Sequence, residues 1–432
     1  MAVQSFLGLR ATNDFTLEGE RPKHWREGIL KYYPNGQASL TAITSLMRSK
    51  AVDDPEFSWF TRGLTKQRAT VTGVYTDAGL ATALAGPVTV GQKLYIKMAE
   101  AEVKQFVAGH VVMLRNAADV NYDLVCLQVE PSVQAGAKSY ITVQAKEASK
   151  AGANPVSANI SAALIIGTAH PEGGYIPQAI SLDAEKWRNY TQIFRNSFEI
   201  TRTASKTRLR TGDKRKQMQM DCLELHSIEM EKAFIFGVPS EEIAPNDKPI
   251  RTTGGLIWAV KQGGVVDSPI TNPDVAAGSK WLDYGLDYLD FLLEKIFRYG
   301  STEKMAYVGN GTVLALNRLA RKHGNWDFTS ATASFGIDIT KWVTPFGTLS
   351  FKTHPLLSHE PTNQHSMLIF EPKDIEYRFV TDTTYHKDTQ NHGEKRRDAE
   401  INEYLTECGL EFHNPQGWAW INGLGLDKPT NP

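Results

Sequence analysis

Cysteine is scarce in this chain of 432 residues: Cys126, Cys222 and Cys408 stand far apart, odd in number and without a CxxC pair. That excludes a disulfide framework and a zinc ribbon, and it favours a reduced compartment. No apolar run reaches the roughly 18 residues of a membrane-spanning helix. The opening MAVQSFLGLRATNDF has no basic stretch followed by an apolar one, so neither an export signal nor a membrane association is expected. The Asn-x-Ser/Thr matches at Asn159, Asn189 and Asn310 are therefore expected to be chance. Net charge is lacking too: 47 Lys and Arg against 48 Asp and Glu leave −1. Affinity for a charged partner must come from a local patch and not from the overall field.

Catalytic signatures are missing as well. There is no GxxxxGK[ST], GxSxG or HExxH, and no GxGxxG opening a helix. The best metal candidate is THPLLSHEPTNQH, with His354, His359, Glu360 and His365. Its spacings fit neither a helix face nor a tight turn, so a metal-dependent hydrolase built on this loop stands as a rival reading only. Asp283, Asp287 and Asp290 have the spacing of the solvent edge of an amphipathic helix, and GNGT at 309–312 that of a turn and helix cap. No enzymatic activity, cofactor or metal is expected.

What is present is ordinary globular material, 41% apolar and 22% charged, in a length that suits two or three domains. Residues 1–60 read as an arm without a dense apolar pattern, its one short helix showing Leu40, Ile43, Leu46 and Met47 on a face. Between 66 and 170, β-branched runs such as RATVTGVY, GPVTVGQKLYIKM, YDLVCLQVE and KSYITVQAK alternate with Gly and Pro punctuation, which predicts a small sandwich or barrel. EASKAGANPVSANISA then reads as an exposed connector. The spacing predicts a long helix over 213–236 with two apolar stripes: Met218, Cys222 and Leu225 on one, and Met220, Leu223, Met230 and Phe234 on the other. A second helix begins near 281, a third covers roughly 312–323, and strands dominate the remainder. The class is α+β.

Just before and inside the long helix lies a concentrated run of positive charge. Arg202, Lys206, Arg208, Arg210, Lys214, Arg215 and Lys216 face one acid, Asp213, within residues 202–216. The order of parts around it, NYTQIF, the alternating FEITRTA, the basic linker and a helix ending EMEKAFIFG, resembles major capsid proteins of tailed bacteriophages with the Hong Kong 97 phage capsid fold. So does the later succession from RTTGGLIWAV to LEFHNPQGWAWINGL.

The resemblance implies an N-terminal arm over 1–60 and an extended loop over 61–180 carrying an inserted small all-β domain at about 66–170. A peripheral domain over 181–250 would hold the spine helix 213–236. An axial domain would span 251–355, and 356–432 would supply peripheral strands returning to the axial domain. It implies self-assembly into hexamers and pentamers of an icosahedral head in the virion, assembled in the host bacterial cytoplasm around packaged double-stranded DNA. A separate scaffold protein, a portal and a decoration protein are the implied partners. An encapsulin-like nanocompartment shell is the alternative within the same fold. For the basic run three readings stand: a solvated face, pairing with a neighbouring subunit's acids such as Glu241, Glu242 or those of DDPEF, or contact with DNA. Phosphate binding needs only clustered Lys and Arg, but residues 199–216 contain no aromatic to stack on bases. Pairing between subunits is the working reading.

Overall fold

The computed structural model describes residues 48–63, 67–150, 159–174, 176–181, 183–207, 213–323, 329–334, 337–387 and 399–430. The chain divides into two compact units, Arg62–Glu185 and Met1–Thr61 with Lys186–Pro432. Among the described residues no helix is long and apolar enough to cross a membrane. The short helix expected near Leu40, and Arg208 and Arg210 of the basic run, lie outside the described residues.

The unit Arg62–Glu185 is a closed β-barrel. Its strands run round the ring in the order Arg68–Tyr75, Lys93–Met98, Tyr140–Ala145, Leu124–Gln128, His110–Asn116 and Ile160–Thr168. Period-two alternation fills the interior: Leu94 sits opposite Val143 and Ile96 opposite Ile141, all fully buried beside Leu114, Leu124 and Cys126. Burial pushes the Cys126 thiol up to about 12, leaving it unreactive.

Two expectations fail in this unit. Residues 160–162, assigned to an exposed connector, open the strand that closes the ring by pairing with both His110–Asn116 and Arg68–Tyr75. The interior at that point takes small residues, Ala162 and Ala163, both buried, so the start of the strand shows no alternation of large apolar side chains. Closure leaves the barrel no open sheet edge. Val88 and Val90 belong to no strand: Val88 plugs the core while Val90 is exposed, and pairing starts only at Lys93.

The other unit holds two sheets and the long helix. In the first sheet, Ser49–Ala51 pairs parallel with Ile375–His386, which pairs antiparallel with Ala399–Phe412, and this pairs antiparallel with Gln192–Thr201. The helix Lys214–Phe236 lies on this sheet. Phe234 meets Phe194 and Tyr377 edge-on at 6.3 and 6.4 Å. The second sheet has seven strands, with Glu303–Val308 central between Gly347–Thr353 and Ser366–Phe370. The helices Trp281–Ile296 and Asn310–His323 cover it through Leu289, Leu293, Ile296, Leu316 and Leu319.

The last residues assigned to the arm are part of this unit's core. Glu56–Thr61 pairs with Glu185–Tyr190, and Trp59 stacks on Trp187 at 6.5 Å and meets Phe412 edge-on at 6.3 Å. Asn189, in that partner strand, is fully buried and fills all four of its hydrogen-bonding positions. It donates to Leu410 O (2.7 Å) and Gly254 O (3.2 Å) and accepts from Gly254 N (2.7 Å) and Tyr190 N (2.9 Å). Gly254 has to be glycine for this approach, because a Cβ there would lie 2.9 Å from the Trp258 ring and 3.2 Å from Asn189 Oδ1. One buried amide thus ties a strand, a turn and the strand Ala399–Phe412 together, and its burial leaves it no access for a glycan.

Candidate functional site

The basic run leads into the long helix, whose first turn has the wrong sign of charge for its position. Cations at a helix N-terminus oppose the helix dipole, yet Lys214, Arg215 and Lys216 occupy that turn. Asp213 provides the cap, accepting from the N–H of Arg215 (3.0 Å) and Lys216 (3.4 Å). The cations therefore answer to something other than helix stability.

For Arg215 the answer lies within the chain. Its Nε reaches Glu400 at 3.1 and 3.2 Å, and its Nη2 also bonds that carboxylate. The Arg215 hydrogen bond holds the Glu400 carboxyl below its ordinary value. Both side chains keep over a quarter of their surface in water (29% and 27%), so the pair contributes at most about 1 kcal/mol. This corrects the expectation that Arg215 waits for a neighbour's acid. Glu241 is likewise engaged at home, by Arg251 at 2.9 Å across its own hairpin. Lys206, Lys214 and Lys216 are exposed, with no ion pair among the described residues, and Arg202 opens the short exposed helix Arg202–Lys206.

The faces of the long helix also differ from the predicted stripes. The buried row is Cys222, His226, Met230 and Phe234, at four-residue spacing with a histidine inside it. His226 bridges Asn196 Oδ1 and Thr406 Oγ1, each at 2.7 Å, and burial lowers its pKa, keeping the ring neutral. A histidine in a core row hides the stripe from a reading by hydrophobicity. Met220, Leu223 and Leu225, assigned to apolar stripes, are exposed at 68, 41 and 56%. Beyond the helix, Phe236, Val238, Ile243 and Ile250 continue as exposed apolar side chains. The last two lie on the two-stranded hairpin Ser240–Ile243 with Pro249–Thr252.

The histidine loop does not assemble a metal site. His354 is fully buried and bonds Glu231 of the long helix through Nε2 at 2.8 Å. His365 bonds Leu424 O through Nδ1 at 2.8 Å, and His359 ends the short helix Pro355–His359. Among the described residues, the group whose ligand atoms converge is Glu376, Glu411 and His413. Arg378 already occupies it, at 2.9 Å from Glu376 and 2.5 Å from Glu411. The Arg378 guanidinium is shared between both carboxylates and takes the place a cation would occupy. Burial would raise the Glu411 carboxyl, but hydrogen bonds from His413 and Arg378 outweigh it and hold it low, while Glu411 raises His413.

What remains are exposed apolar and cationic side chains on one helix and one hairpin. Comparison with known proteins bears on it. The family model described as SU10 major capsid protein matches residues 11–425. The major capsid protein of Pseudomonas phage PaMx41 is 24% identical over 415 residues, covering 93% of this chain and 92% of the relative. Among solved structures, the capsid of Myoviridae Phage XM1 is 8% identical, with a TM-score of 0.43 over 96% of this chain and 99% of that one. The SrpI encapsulin complex from Synechococcus elongatus PCC 7942 is 12% identical, with a TM-score of 0.35 over 57% of this chain and 76% of that one.

Proposed function

Because this chain belongs to the SU10 major capsid protein family, we propose that it builds the icosahedral head of a tailed phage, as hexamers and pentamers enclosing double-stranded DNA. Assembly takes place in the host cytoplasm with a separate scaffold protein. In this reading the long helix and its four-stranded sheet form the peripheral domain. The seven-stranded sheet with its two helices forms the axial domain, and the barrel enlarges the extended loop.

The observation that carries the reading is the uncovered apolar series Met220, Leu223, Leu225, Val238, Ile243 and Ile250. Ile250 pairs with Glu242, so Ile243 and Ile250 stand on opposite faces of their hairpin, and a two-stranded hairpin is marginal unless something packs on it. A neighbouring copy supplies that cover. Lys206, Lys214 and Lys216, with Arg202, Arg208 and Arg210, then pair with acids of the adjoining subunit, Glu242 among them. Arg215 instead holds its own subunit together.

Electron microscopy and sedimentation of the purified chain, with and without co-expressed scaffold, test the reading. Rings or closed shells are expected. A species that stays at 48.0 kDa at high concentration under both conditions would overturn it.

A further inference from the structure

Two acids of the helix Trp281–Ile296 lack a counter-charge among the described residues. Asp287 and Asp290 are exposed and stand three residues apart, so they are neighbours on the helix surface and repel. Desolvation, and then the Asp287 charge, raise the Asp290 carboxyl above its ordinary value. No ion pair reaches either acid, although Asp283 of the same helix is paired with Lys322 at 2.7 Å. Beside Asp287 lies a recess of about 410 Å³ between this helix and the segment 272–279. Asp274 and Asp287 give it two carboxylates, Tyr284, Tyr288 and Phe291 give it rings, and its lining has no Lys or Arg. Phe291 already accepts a cation on one face, where Lys295 Nζ lies 4.0 Å from the ring centre.

The helix Asn310–His323 carries the opposite excess. Arg318 and Arg321 are exposed, again three residues apart, and again without an ion pair among the described residues. Leu314, one turn before Arg318, is 52% exposed, as Phe291 is 46% exposed beside the acids. Each helix thus holds a like-charge pair at the same spacing, of opposite sign, next to an apolar side chain left in water. A guanidinium suits the recess better than an ammonium, because it is planar, meets a carboxylate through two N–H groups and stacks on aromatic rings.

We infer that the acid-lined recess of one copy receives Arg318 and Arg321 of a second copy, with Asp287 and Asp290 as the pairing carboxylates. What each helix lacks, the other helix of a neighbouring copy supplies. The inference rests on the shell reading and names one contact between the subunits of that shell.

Charge reversal in the full chain tests it, read by sedimentation and electron microscopy under conditions where the parent assembles. Asp287→Lys with Asp290→Lys, and separately Arg318→Glu with Arg321→Glu, should each lower the yield of assembled particles about tenfold or more, because like charges then face each other. Mixing the two variants, or placing all four substitutions in one chain, should restore assembly, since opposite charges meet again. Neither a change of net charge nor damage to the fold predicts that rescue. Arg318→Lys with Arg321→Lys keeps the charge but gives up the planar fork, and should weaken assembly without abolishing it. Unfolding midpoints of the unassembled variants should match the parent, as all four side chains are already exposed. Equal assembly by the parent and both reversed variants would overturn this inference and leave the shell reading standing. Reversed variants that fail to rescue one another would overturn it too, and a parent that never assembles would overturn both. If a reversal unfolds the chain, the lysine pair decides: assembly equal to the parent's overturns the inference.

Discussion

Replacing Asn189 by alanine should cost this protein a large share of its stability. The substitution leaves four buried backbone groups unmatched: the N–H of Tyr190 and of Gly254, and the carbonyls of Gly254 and Leu410. Each buried group without a partner costs about 1–3 kcal/mol. If water enters the vacated space and serves two of the four, the other two still sum to about 2–6 kcal/mol, against a typical total of about 5–15 kcal/mol. Asn189→Asp separates the terms. It keeps an acceptor for the two N–H groups but turns a carboxylate toward the two carbonyls, so it should destabilise near neutrality and recover partly on acidification. The assay is urea unfolding of the unassembled chain, read by tryptophan fluorescence, with an unchanged slope showing that the folded state is otherwise intact. A midpoint for Asn189→Ala within about 0.5 kcal/mol of the parent, the range of an ordinary surface change, would refute the account of this residue as the knot between its three segments.

Paired substitution of the hairpin's exposed Ile243 and Ile250 by glutamate should abolish shells while leaving the unfolding midpoint of the unassembled chain unchanged, since both side chains are already in water; a lost fold instead would make the hairpin internal structure. Changing Lys206, Lys214 and Lys216 to glutamine should weaken assembly most at low salt, where the lost attraction is least screened, and light scattering that is identical at every ionic strength would return the run to a solvated face. Asp374 is raised to about 6, by burial first and then by the neighbouring Glu371. The folded chain therefore holds a proton there that the unfolded chain releases above its ordinary 3.8. Stability from this group is present at low pH and declines as pH rises from about 4 to 6. Asp374→Asn should remove that component from the pH profile of unfolding, and a profile unaltered by the substitution would contradict the burial of its charge.

The sequence by itself determined the classes of element. Leu282, Leu286, Leu289 and Leu293 spell a helix by spacing alone, and the structure has it at Trp281–Ile296. Alternation in KLYIKM and YITVQA marks strands wherever the inner face is large and apolar. The family was legible for a similar reason: segment order and local stretches such as NYTQIF survive in the linear text, and the Asn of that stretch proves to be the buried knot at Asn189.

Only the tertiary structure decided matters that depend on distant residues. The strand Ile160–Thr168 exists because two other strands offer it both of its edges, a fact that its alanines do not announce. The inner face of the long helix includes His226 because Asn196 and Thr406 wait on the sheet to bond it, across separations of 30 and 180 residues. Arg215 of the basic run is paired with Glu400, 185 residues away. His354 is removed from its loop by Glu231, 123 residues away. Periodicity reports what a residue's near neighbours in the chain require of it. A hydrogen bond or an ion pair depends on which groups folding brings within about 3 Å, and for polar side chains in this protein those groups lie far off in sequence.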